Sequence, residues 1–154
     1  MLETARLLLS CFLDAAGDTD SLLAALRPTL DDYLLVFRRQ IVAQAYAAYQ
    51  PVWAEAPALP VARGVTTLEL AGASVEELRR GGGAAARFPS AYARVAPALR
   101  PGPTWVCWTF RALDGGPEVK GDGLVAVDDH LVYFPQPGRT LAGLTHENLT
   151  PGRL

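Results

Sequence analysis

The apolar positions change period along the chain, giving a helical first third and a sheet-bearing remainder. From 2 to 16 they fall at Leu2, Ala5, Leu9, Phe12, Leu13 and Ala16, which is helical spacing. Gly17 is placed to stop that helix, and Asp18 or Asp20 to cap a short second one over 21–26, closed by Arg27-Pro28. Thr29-Leu30-Asp31-Asp32 has the spacing of a capping box, with Asp in place of the preferred Glu. A third helix is expected from there to about Tyr49, with Pro51 preventing its continuation. Its inward face carries Tyr33, Phe37, Ile41, Ala45 and Ala48. The aromatic stripe Tyr33, Phe37, Tyr46, Tyr49, Trp53 reads as core and rim packing rather than a ligand box.

Residues 54–64 form a Pro/Ala linker, beyond which the pattern turns mixed. The run 65–71 alternates as a strand, with Leu68 and Leu70 opposite Glu69. Ser74-Val75-Glu76-Glu77 is a capping box opening a short helix that ends at Arg79-Arg80. Gly81-Gly82-Gly83 has neither nucleotide-loop spacing and follows a helix, so it reads as a flexible loop. A helix is expected over 90–99, with Tyr92, Val95, Ala96 and Leu99 inward and its last turn weakened by Pro97.

The densest signal lies in 104–137. Alternation over 104–113 puts Trp105, Cys107, Thr109 and Arg111 on one face and Val106, Trp108, Phe110 and Ala112 on the other. A strand apolar on both faces is interior or lines a cavity. Residues 123–127 and 130–134 read as a hairpin around Asp128-Asp129, with Val127 opposite His130, Val125 opposite Val132 and Leu124 opposite Tyr133. The expected product is α+β: N-terminal helices packed on a curved antiparallel sheet of three to four strands, 65–71 being the fourth. The chain is read as a single domain over 1–154, with 139–154 a partly ordered tail and 145–148 one helical turn.

Composition narrows the function classes. The 154 residues include 14 basic and 16 acidic side chains, a net charge of −2, and half of them are hydrophobic. Such an even balance lacks the clustered basic excess of a nucleic-acid binder. No apolar run is long enough to span a membrane. Leu7-Leu8-Leu9-Ser10-Cys11 superficially resembles a lipoprotein box, but its apolar run is short and Glu3 spoils the basic flank, so it is read as the first helix. The abundance of Ala, Leu, Arg, Gly and Pro, with Lys120 the single lysine, suggests a GC-rich bacterial source and a cytoplasmic protein. Cys11 and Cys107 are isolated and read as small hydrophobes; no Cys/His cluster suggests a metal, and no cofactor is implied.

Each chemical candidate has a plain alternative. His130 beside Asp128 and Asp129 resembles part of a general-base arrangement, but a hairpin tip favours a solvated turn. Asp122 between two glycines is expected to make an Asx-turn more readily than to line a pocket. Arg139 after Pro-Gly is a candidate anion contact. One of Trp105 and Trp108 is expected in the core, and the other is a candidate pocket wall or interface. The candidate ligand-binding residues are thus Trp105, Trp108, Arg111, Asp122 and Arg139, with no catalytic set.

The residues Phe88-Pro89, Tyr92, Ala96 and Leu99, followed by Trp105, Trp108, Phe110, Asp122-Gly123-Leu124-Val125, Val127-Asp128, Phe134-Pro135-Gln136-Pro137 and Arg139, resemble those of small uncharacterised bacterial α+β proteins. This resemblance covers the C-terminal half and implies no activity. The order of helices before a curved sheet loosely resembles the cone-shaped fold of ketosteroid isomerase and scytalone dehydratase, which implies a small apolar ligand between helices and sheet. One strand stands where that fold has a hairpin, so no catalytic residue is carried across. Two readings follow: a non-enzymatic binding or protein-interaction module that self-associates, as a homodimer for instance, or a cone-type small-molecule binder or enzyme of the isomerase/dehydratase kind.

Overall fold

A computed structural model describes residues 1–14, 19–62 and 66–144. It is α+β, with helices leading into one antiparallel sheet. Helices α1 (Leu2–Asp14), α2 (Thr19–Ala25), α3 (Leu30–Val36) and α4 (Val42–Ala54) precede strand β1 (Thr66–Ala73). The excursion from β1 to β2 carries α5 (Val75–Arg80), a 3-10 turn over Gly83–Arg87, α6 (Tyr92–Val95) and a second 3-10 turn over Ala96–Ala98. Strands β2 (Thr104–Ala112), β3 (Val119–Val127) and β4 (His130–Tyr133) then form a meander, and α7 (Pro137–Thr140) follows. The strand order is β1-β2-β3-β4, so the fourth strand expected in the 65–71 run is present as Thr66–Ala73, paired with β2 from Thr66↔Ala112 to Ala73↔Trp105.

Local chemistry accounts for several boundaries. Thr29 Oγ1 accepts from the Asp32 amide while Asp32 Oδ2 accepts from the Thr29 amide at 2.7 Å, so Asp closes the capping box without the longer Glu. Ser74 and Glu77 close the second box in the same reciprocal way. The hairpin keeps the register expected from alternation, Val127↔His130, Val125↔Val132 and Leu124↔Tyr133, with Asp128 in the left-handed region at φ 49°.

Three helical expectations need correction. The helix expected from Thr29 to Tyr49 is two helices, broken at Phe37. There the backbone turns extended and bridges Leu99; Arg38 N–H donates to the Ala98 carbonyl and Arg100 N–H to the Val36 carbonyl. Burial of Phe37 against Tyr33, Tyr49 and Phe134 favours that break over helical continuity. At the other end α4 continues through Pro51 to Ala54, because Trp53 is anchored edge-on against Tyr133. The proline removes a single hydrogen bond near the helix end. The helix expected over 90–99 shrinks to α6 and a 3-10 turn, since Pro97 supplies no N–H and Leu99 is committed to the bridge with Phe37. The helical turn expected at 145–148 lies outside the described residues.

The core is aromatic. Phe134, fully buried just past β4, has the rings of Tyr33, Phe37 and Tyr49 edge-on at centroid distances of 5.1–5.3 Å. Such pairs contribute roughly 0.5–1.5 kcal/mol each beyond area burial. Both faces of β2 are covered: Trp105 packs on Tyr92 and Phe134, and Trp108 on Tyr133. No described helix is long and apolar enough to cross a membrane.

Candidate ligand-binding site

Asp122 is the residue around which a site forms, and two glycines put it there. Gly121 lies under the Trp108 indole, where any Cβ would overlap the ring. Gly123 takes φ +97°, and a Cβ there would strike the Phe134 carbonyl, whose residue donates its N–H to the Gly123 carbonyl at 2.7 Å. The pairing of β2 with β3 slips at this point: Val106 faces Leu124 and Cys107 faces Asp122, leaving Gly123 as an extra residue. The bulge re-aims Asp122. The carboxylate does not form the expected Asx-turn. Its Oδ1 accepts from the Tyr92 hydroxyl at 2.7 Å.

A cleft of about 650 Å³ opens beside Asp122, within the ~300–1,000 Å³ range of ligand sites. Ala48 and Val52 of α4 and Tyr133 of β4 form an apolar wall. The segment from Glu55 to Pro60 forms a second wall, tied down where Tyr133 donates to the Ala58 carbonyl and Trp108 Nε1 to the Pro60 carbonyl. Residues 55–60 of the stretch read as a linker therefore form a strap across the sheet. Pro135, Gln136, Arg139 and Thr140 close the third side, and Lys120 stands beside Asp122.

Burial pushes the Asp122 carboxyl above its ordinary value, and the Tyr92 hydrogen bond only partly offsets this. Burial, reinforced by the Asp122 charge, likewise raises the Tyr92 and Tyr133 hydroxyls and takes the Cys107 thiol up to about 11. The thiol is therefore protonated at neutral pH and a poor nucleophile. The cleft thus has at its inner wall a partly buried carboxylate bonded to a neutral hydroxyl, with the charged side chains Glu55, Lys120 and Arg139 also lining it.

The candidates read from sequence separate in space. Asp122 and Arg139 line the same cleft. Trp108 stands behind it, holding the strap. Trp105 is wholly buried, its indole nitrogen without an acceptor among the described residues, and serves the core. Arg111 is half exposed at the far end of β2, paired with Glu118 and with Glu69, and is not among the residues lining this cleft. Tyr92, Tyr133 and the strap escaped the sequence reading. The only local sign was the small residues either side of Asp122, whereas Tyr92 lies 30 residues away and reads as an ordinary apolar-face position.

His130 also departs from expectation. It bonds to Asp32 through Nε2 at 2.7 Å, while Asp129 is 3.5 Å from Nδ1. Among the described residues no group of three His, Cys, Asp or Glu side chains is arranged to hold a metal.

Comparison with protein-family models, curated proteins and solved structures gives no match. The cleft must therefore be read from its own chemistry.

Proposed function

We propose that this protein is a non-enzymatic binding module that takes a small molecule into the cleft beside Asp122. The observation carrying this reading is a partly buried carboxylate placed by a conformationally demanding bulge at the wall of a ligand-sized cleft. Backbone strain supports it. Three non-glycine residues among those described have positive φ, and two of them, Ala56 at 53° and Gln136 at 45°, line the cleft. Such conformations cost of order 1–3 kcal/mol each and concentrate at functional sites. The cleft lies between helix and sheet, where the cone-type expectation puts a ligand, but the reading rests on the residues and not on that likeness.

A fragment screen followed by amide chemical shifts of the full chain tests it. Binders are expected to move Gly121, Asp122 and Gln136 together, and Val52→Trp, which fills the cleft, is expected to abolish those shifts. Binders that cluster elsewhere, or that survive Val52→Trp, overturn the reading.

A second reading, self-association, is favoured by exposed leucines: Leu7 is 61% exposed in α1 and Leu30 57% in α3. Sedimentation at micromolar concentration tests it, a strict monomer counting against it.

A further inference from the structure

We infer that the cleft selects molecules carrying a protonated amine on a compact apolar body, the amine bonding to the free oxygen of Asp122. This rests on the small-molecule reading above and names the ligand class. One carboxylate oxygen is engaged by Tyr92; no described protein donor reaches the other. No lysine or arginine among the described residues pairs with Asp122, although Lys120 and Arg139 stand at the same cleft. Lys120 is instead 3.7 Å from Glu118, with its side chain 72% exposed. The groups that feel the Asp122 charge are the Tyr49, Tyr92 and Tyr133 hydroxyls and the Cys107 thiol; Arg87 acts on Cys107, and no cation is among the groups that shift Asp122 itself.

A carboxylate withdrawn from water without a counter-charge is costly, and a ligand that brings the missing cation removes that cost on binding. An ammonium group also donates directly to the unpaired oxygen, and charge-assisted bonds of this kind are about twice as strong as neutral ones. Ala48, Val52 and Tyr133 provide apolar surface for the body of such a molecule. A neutral alcohol would gain the packing and lose the charge pairing. A carboxylate ligand could pair with Lys120 or Arg139 but would meet Asp122 and Glu55 as like charges.

The test compares cyclohexylmethylamine with cyclohexylmethanol and cyclohexanecarboxylate on the full chain near neutral pH, followed by amide shifts. The amine is expected to move Gly121 and Asp122 and to bind about tenfold or more tighter than the alcohol. Asp122→Asn should erase that preference while retaining the dispersed spectrum of a folded protein. Tyr92→Phe should keep it, since it leaves the charge in place. Equal binding of amine and alcohol in the cleft overturns the amine assignment and leaves the cleft reading standing. Amine shifts away from Gly121 and Asp122, or no amine binding at millimolar concentration, also overturn it, and the fragment screen then decides the cleft reading separately. The amine-to-alcohol comparison on the unaltered chain stands even if a variant fails to fold.

Discussion

His130 Nε2 lies 2.7 Å from Asp32 Oδ1, joining the tip of the β3–β4 hairpin to the N-terminus of α3 across 98 residues of chain. Asp32 is buried and spends its other oxygen on Thr29, so one carboxylate both caps a helix and latches a hairpin. Burial alone would push this carboxyl up. The bonds from the Thr29 amide, His130 and the Thr29 hydroxyl outweigh it and hold the carboxyl below its ordinary 3.8. The Asp32 hydrogen bond in turn raises His130 above its ordinary 6.5, against the opposing effect of burial.

The latch should therefore have a pH window. A lowered carboxyl stabilises the fold above its unfolded value and loses that contribution as pH falls through the folded one; a raised imidazole stabilises below its unfolded value and loses it as pH rises through the folded one. The excess stability of the parent over His130→Gln should be largest between the two ordinary values, 3.8 and 6.5, and shrink on either side. His130 is half exposed, so the effect should stay near or below about 1 kcal/mol. Urea titrations of both proteins across that range check this; a pH-independent difference would refute the charge-paired latch.

Asp122 has the opposite linkage. A carboxyl raised on folding favours the fold while protonated, and that advantage disappears as pH rises through the folded value. Asp122→Asn should thus match or exceed the parent at neutral pH, by roughly 1 kcal/mol, and lose its advantage in acid. Thermal unfolding at neutral and acidic pH measures the difference. A variant markedly less stable at neutral pH would mean that the charge is already compensated.

Gly121→Ala should destabilise by about 2 kcal/mol or more, because the new methyl occupies the space of the Trp108 ring. The indole cannot shift without giving up the 2.8 Å bond from Nε1 to the Pro60 carbonyl, so the strap should loosen with it. Faster amide exchange over 55–60, with a changed tryptophan emission, is the expected signature.

The two capping boxes should respond unequally to loss of the hydroxyl. Ser74→Ala removes an exposed cap from α5 and should cost about 1 kcal/mol. Thr29→Ala also takes a partner from buried Asp32 and should cost more, of the order of 2 kcal/mol. Chemical denaturation of both variants decides the order.

Local and periodic features were legible in the residues alone. Alternation of period two set the β3–β4 register, since a slip by one residue would turn Val125 and Leu124 to the wrong faces. The capping boxes at Thr29 and Ser74 were legible because both partners lie three residues apart. Long-range packing set the rest. Phe37 breaks a helix that its own neighbourhood favours, because its burial against Phe134 and its bridge to Leu99 come from distant segments. Asp122 read as a turn residue, and it became a cleft carboxylate because Tyr92, Tyr133 and the 55–60 strap converge on it from separate parts of the chain. Local propensity acts through the nearest few residues, whereas the depth of a carboxylate and the partner of an imidazole depend on which surfaces the packed core brings together.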